Sequence, residues 1–270
     1  MQCEICGFKN PKGTATAVII RDNKLLVLKR NEDPHKGMRD LPGGFMDAAE
    51  TPEQTMEREL LEELGIHADM TFMRHVPGTA SWKGETFSII SSFYLVGIGN
   101  QEIQLNNENI AHEWIPISEI KPETIAYDSN QAFVSWLQKE FVFDLDRIHE
   151  LVSQLDSTAV VNELTLYKAK INGYVATRYD GKKLIGMGWI FPRQTLLRKQ
   201  AVVEDMIVDD AYRGRGLGKE ILNDLVVWAR GRGIEMIELT SNPKRVAANE
   251  LYKKYGFDLH PTNHYLYRVS

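Results

Sequence analysis

The clearest hydrophobic pattern in the chain lies just before Gly65, where Met56, Leu60, Leu61 and Leu64 recur at helical spacing. Thr51 suits an N-cap, Pro52 the first helical position, and Gln54 completes a capping box. The pattern therefore predicts a helix over Thr51–Leu64 that Gly65 ends. Upstream, the β-branched run Thr14–Ile20 and the run Lys24–Lys29 predict two strands joined by a turn at Asp22-Asn23. Leu41–Ala48 reads as a glycine-containing loop. Strands are expected at Phe87–Leu95 and His112–Ile115, and a closing amphipathic helix at Gln131–Phe141 with Phe133, Trp136 and Leu137 on its apolar side. Arg74–Glu85 reads as a loop in which Trp82 either stacks on a ligand or packs.

The second half opens with a predicted helix at Leu145–Leu155. Strands are expected near Gly173–Arg178, Leu184–Phe191 and Ala201–Val208, then a helix from Gly216 to Arg230. A strand at Met236–Thr240, a helix at Val246–Tyr255 and two short strands complete the reading. The 270 residues exceed one typical core of roughly 100–150, so two domains are expected, 1–142 and 143–270. Charge separates the same halves: the first carries 13 basic and 21 acidic residues, the second 19 and 16. A cation-binding first half and an anion-binding second half follow as expectations.

Composition narrows the class. With 43% hydrophobic and 26% charged residues, wholesale disorder is excluded. A net charge of −5 argues against a dedicated nucleic-acid binder. No apolar run is long enough to span a membrane, Met1–Lys12 has no secretory apolar core, and the cysteines number two. A reducing, cytoplasmic location is expected.

Glu59, Glu62 and Glu63 stand at i, i+3 and i+4 on the first predicted helix, which places them on one face. Taken alone they fit a solvated acidic face or a site for Mg²⁺ or Mn²⁺, which favour oxygen ligands. Their surroundings read GFMDAAETPEQTMERELLEELGI from Gly44 to Ile66. This resembles the Nudix box, with Gly44, Glu50, Arg58, Glu59, Leu60, Glu62, Glu63, Gly65 and Ile66 filling every position. The resemblance covers Met1–Val142. It implies an α/β/α sandwich that hydrolyses the pyrophosphate of a nucleoside diphosphate linked to another group. Glu59, Glu62 and Glu63 would hold the divalent ions, with the Gly44 backbone close by, and Arg58 and Glu50 would support them. Glu113 is a candidate further ligand or general base against a surface-glutamate reading, and Glu108 a weaker one. Cys3-Glu4-Ile5-Cys6-Gly7 resembles the first half of the zinc ribbon before some Nudix enzymes. Structural zinc needs four ligands, and the chain offers no second pair. A metal-free remnant is expected, and ligation across a homodimer is the other route.

Arg213-Gly214-Arg215-Gly216-Leu217-Gly218 lies between a predicted strand and helix, where bare backbone N–H groups and a helix N-terminus suit pyrophosphate. An exposed glycine turn is the plainer reading. The run Val203–Gly218 resembles motif A of the GNAT acetyltransferases, and Ala247–Phe257 their motif B. The resemblance covers Leu145–Ser270 and implies a mixed-sheet domain. By that resemblance, Arg213–Gly218 would hold the pyrophosphate of acetyl-CoA and amides near Ile207 and Val208 would polarise the thioester. Tyr252 would protonate the leaving thiolate, Asn249 support the cofactor, and Glu204 act as base toward an amine. The whole reads as an α/β chain, a Nudix sandwich followed by a GNAT domain, hydrolysing a small nucleotide and acetylating an amine acceptor. The alternative keeps the hydrolase and makes the second half a CoA-binding sensing or docking module. A non-enzymatic nucleotide sensor is a third reading, which the intact box disfavours.

Overall fold

The computed structural model describes residues 10–267 and divides into two compact units at Phe143/Asp144. Cys3 and Cys6 lie outside the described residues.

In the first unit, β1 (Lys12–Val18), β2 (Ile20–Arg21) and β3 (Lys24–Arg30) open the chain. The turn between β2 and β3 takes left-handed φ at Asp22 and Asn23, as a tight hairpin requires. Two short strands follow, β4 (Arg39–Asp40) and β5 (Gly43–Phe45), the second within the stretch read from sequence as loop. Helix α1 (Pro52–Leu64) has the expected caps: Thr51 and Gln54 form the reciprocal capping box, and Gly65 ends the helix at φ 67°. A long hairpin comes next, β6 (Asp69–Trp82) and β7 (Glu85–Gly97), then β8 (Asn109–Pro116) and α2 (Asp128–Glu140).

The hairpin corrects the reading of Arg74–Glu85 as a loop. Arg74–Trp82 is strand paired with Glu85–Phe93, and the turn is confined to Lys83-Gly84. The segment hid because β6 is a sheet edge with little burial, so it lacks the apolar alternation that marks a covered strand. Trp82 sits half-exposed at the hairpin tip.

One sheet runs β5-β1-β7-β6, with β1 and β7 parallel; the other runs β2-β3-β4, with β8 also on β3. Alternation along β7 serves two helices. Tyr94 and Val96 join Met56, Leu60 and Leu64 of α1 in one core. Phe93 stacks on Phe133 of α2 at 3.9 Å, and Ser91 bonds Ser129. Helices thus cover both faces of the sheet, the expected α/β/α sandwich.

The second unit begins with α3 (Leu145–Leu155) and α4 (Glu163–Asn172), the latter not foreseen from sequence. Strands β9 (Tyr174–Asp180), β10 (Lys183–Gln194) and β11 (Lys199–Val208) form an antiparallel meander. Helix α5 (Leu217–Arg230) then leads to β12 (Met236–Leu239), parallel to β11, and α6 (Val246–Tyr255) follows. Ile221, Leu225 and Ala229 of α5 bury against Ala176, Ile190, Ala201 and Val203. The two terminal strands expected from sequence are not formed: residues 257–267 carry no strand, and 258–267 are exposed. The glycine at position 256 ends α6 at φ 111°, and the polar run His260–His264 interrupts the apolar positions that a strand would need. No helix among the described residues is long and apolar enough to cross a membrane.

Candidate active sites

In the first unit, α1 packs its apolar stripe on the sheet and presents its glutamates toward the β5 loop. Glu63, in the last turn, is buried. Its Oε2 accepts the Gly43 backbone N–H at 2.7 Å, and its Oε1 accepts from Asn109 Nδ2 at 3.1 Å. Burial pushes its pKa up to about 8, with the nearby Glu59 charge adding to the rise. Glu59 is likewise raised by burial, against the pull of Arg58, with the charges of Glu62 and Glu108 adding. A Cβ on Gly44 would overlap the Glu59 carboxylate, so glycine there lets backbone and carboxylate meet.

Arg58 organises this face. It binds Glu50 through Nε and Nη2, Glu59 and Glu62 through Nη1, and the Phe45 carbonyl through Nη2. Glu50, held by Arg58 and by the Asp47 amide and Thr55 hydroxyl, is lowered to about 2. The supporting roles expected of Arg58 and Glu50 match this geometry.

Among the described residues, no three acidic or histidine side chains already converge as a metal cluster; the Arg58 guanidinium lies between Glu59 and Glu62. The donor set nevertheless suits a hard divalent cation. It comprises carboxylate oxygens of three glutamates beside a bare Gly44 backbone, one of them a buried acid that a cation would keep ionised.

Glu113 is held on β8. Arg39 grips its Oε2 through Nε at 3.1 Å and Nη2 at 2.8 Å. The pair lines a cavity of about 360 Å³ with Lys29, Met38 and Thr124. Glu108, the weaker sequence candidate, is the one that acts on Glu59. Sequence reasoning missed Asn109, Arg39 and Asp40. Asp40 is buried between Arg30 and Asn130, and burial raises it to about 6. A Nudix-box reading stops at Ile66, and no local signal reaches Asn109.

In the second unit, β11 pairs with β12 only from Gln200 to Val203. Beyond Val203 the strands part, and Glu204–Val208 has no β12 neighbour. A bulge at the same place sets Asp205 to φ 50° and shifts the β10 register. Ile207 and Val208 therefore lie at a splayed strand. Met206 marks the gap: Tyr252 Oη of α6 lies 4.0 Å from its Sδ. The Tyr252 phenol is raised by burial, which keeps it protonated. Glu204, half-buried beside the bulge, is raised by burial and by Asp205.

The loop from Arg213 to Gly218 leads into α5. Gly214 has φ 77° and Gly216, the N-cap, φ 83°; a Cβ at either would meet nothing within 4 Å. The open side of this loop is free for a ligand, and the first-turn amides at Leu217 and Gly218 have no intrahelical partner. Arg213 is tied to Asp210 and to the Val208 carbonyl, and Arg215 lies over the Tyr212 ring at 4.9 Å. Asn249 Nδ2 donates to the Asn242 and Arg245 carbonyls, fastening the loop before α6. Arg147 of α3, unforeseen, pairs with Asp209 and the Leu184 carbonyl beneath the loop's start.

Comparison with known proteins follows the same division. The family model of the NUDIX domain matches residues 11–137, and that of the acetyltransferase (GNAT) family residues 131–257. An ADP-ribose pyrophosphatase of Methanocaldococcus jannaschii is 41% identical over 59 residues, 22% of this chain and 35% of its own. An uncharacterised N-acetyltransferase of the same organism is 34% identical over 97 residues, 34% of this chain and 42% of its own. The chain thus spans about two fifths or less of the length of these curated relatives. A solved MutT NUDIX hydrolase from Burkholderia pseudomallei is 29% identical, with TM-score 0.38, over 42% of this chain and 88% of its own.

Proposed function

The chain is a NUDIX domain followed by a GNAT-family acetyltransferase domain, and from that premise we propose that it is a bifunctional enzyme. The first domain hydrolyses the pyrophosphate of a nucleoside diphosphate linked to a second group. The second transfers an acetyl group from acetyl-CoA to an amine. The observation that supports the first activity best is the union of Gly44, Glu59 and Glu63: bare backbone and two carboxylates, one buried, at the end of a capped helix.

Glu59, Glu62 and Glu63 would hold Mg²⁺ or Mn²⁺, which supplies charge neutralisation at phosphate oxygens and a water of lowered pKa. The residues do the rest. Arg58 keeps Glu59 and Glu62 oriented from the Glu50 side. Glu59, beside the Gly44 backbone and bonded to Arg58, would take the proton of the attacking water. The new P–O bond forms to that water and the bridging P–O bond breaks. Arg39, Glu113 and Lys29 line the cavity suited to the rest of the nucleotide. ADP-ribose is a first substrate to try, because the pyrophosphatase relative is named for it.

In the second domain, the amides from Arg213 to Gly218 would hold the pyrophosphate of acetyl-CoA, and the splay at Ile207 and Val208 the thioester carbonyl. The amine nitrogen attacks that carbonyl, the C–N bond forms and the C–S bond breaks. Tyr252 gives its proton to the leaving thiolate, and Glu204 accepts the amine proton through water.

Two assays test the reading: mass spectrometry of nucleotides incubated with the chain and Mg²⁺, and thiol release from acetyl-CoA over an amine panel. Products in both support it. CoA binding without thiol release favours the module, and no nucleotide cleavage removes the hydrolase.

A further inference from the structure

Strand β8 should follow simple alternation, with Asn109, Ala111 and Glu113 on one side and Ile110, His112 and Trp114 on the other. Its pairing with β3 breaks that rule. Ala111 sits opposite Lys29, yet Asn109 sits opposite Arg30, so two residues of β8 span one step of β3. The extra residue, Ile110, is turned out to 55% exposure. The bulge moves Asn109 from the side of Glu113, which binds Arg39, to the side of Trp114, which packs against the α1 core. There its buried Nδ2 meets Glu63 Oε1 at 3.1 Å.

The contact fixes more than burial requires. Each carboxylate oxygen accepts up to about two hydrogen bonds. Gly43 N–H takes one position on Oε2 and Asn109 one on Oε1. Both oxygens are thus pinned, yet each keeps a lone pair. An apolar residue at 109 would leave Oε1 unpaired and the carboxylate free to turn about the Gly43 bond.

We propose that Asn109 is a positioning residue for Glu63, brought there by the bulge at Ile110 to orient the carboxylate toward a divalent cation. This rests on the glutamates of α1 being the metal site.

The test is Mn²⁺ binding to the full chain by calorimetry. Asn109→Ser and Asn109→Leu are expected to weaken Mn²⁺ roughly 10- to 100-fold, the usual cost of losing a partner behind a metal ligand. The Mg²⁺ concentration for half-maximal hydrolysis should rise alike, while KM for nucleotide at saturating Mg²⁺ changes little. Wild-type affinity in the folded variants overturns the proposal. In wild-type protein, the Asn109 side-chain amide resonances should shift as Mg²⁺ saturates, and an unmoved amide overturns it independently. A wild-type chain that binds no Mn²⁺, or a Glu62→Gln chain that binds it as well as wild type, overturns the metal reading along with it. Loss in Glu62→Gln without loss in either Asn109 variant removes the positioning role alone.

Discussion

Arg58 holds Glu50 through two nitrogens, Nε to Oε1 at 2.9 Å and Nη2 to Oε2 at 3.0 Å. The same guanidinium reaches Glu59 and Glu62 through Nη1. Glu50 is therefore a fixed anchor for an arginine that, in the proposed function, would let a cation in between two glutamates without leaving the site. Glu50→Gln keeps the shape but loses the charge that holds Arg58. The expected result is a fall in kcat of roughly 10- to 100-fold, measured by steady-state hydrolysis at saturating Mg²⁺.

The same pair sets a pH signature. Glu50 is held at about 2, below its ordinary value near 4.5, chiefly by Arg58. Its contribution to stability is present above pH 4.5 and is lost as pH falls toward 2, because the unfolded chain takes up the proton first. Urea midpoints of wild type should therefore fall between pH 4.5 and 2 more steeply than those of Glu50→Gln. Parallel curves would show that the ion pair is not maintained in solution.

How much of this was legible in sequence depends on how local each signal is. Helix α1 was readable to the residue because Thr51, Pro52, Gln54 and Gly65 act within one turn of its ends. Strand β6 was not, since its exposed edge leaves no periodic burial to read. The terminal strands expected after α6 were suggested by apolar residues that the structure leaves exposed, among them Leu259, Tyr265 and Tyr267. The box glutamates could be placed on one face from spacing alone. The Glu63–Asn109 contact joins residues 46 apart through a bulge, and no spacing rule reaches it. The contact between Glu113 and Arg39 likewise joins residues 74 apart, beyond the reach of any local pattern.

In the second domain, Gly216→Glu is expected to abolish acetyl-CoA binding while the fold survives. No atom lies within 4 Å of a Cβ at Gly216, so the new side chain starts in open space. It places negative charge where a pyrophosphate would sit and puts a non-glycine residue at φ 83°. Gly216→Asn, which tolerates left-handed φ and carries no charge, should bind with intermediate affinity. Calorimetry with acetyl-CoA checks both.

Tyr252→Phe should separate binding from chemistry. The phenol lies at the splay beside Met206. Acetyl-CoA affinity should change little, while the rate of thiol release should fall roughly 10²–10⁴-fold if the phenol supplies the proton. An unchanged rate would assign that proton to another donor.

In the proposed function the glutamates of α1 drive metal-dependent cleavage of a nucleotide pyrophosphate. Its most direct test is mass spectrometry of ADP-ribose, NADH, diadenosine polyphosphates and nucleoside triphosphates incubated with wild-type chain in Mg²⁺, wild type in EDTA, and Glu63→Gln in Mg²⁺. The account predicts P–O cleavage of at least one of them by wild type in Mg²⁺, none in EDTA, and a rate lower by several orders of magnitude in Glu63→Gln. Cleavage undiminished in EDTA or in the variant, or no cleavage of any member of the panel, would contradict it.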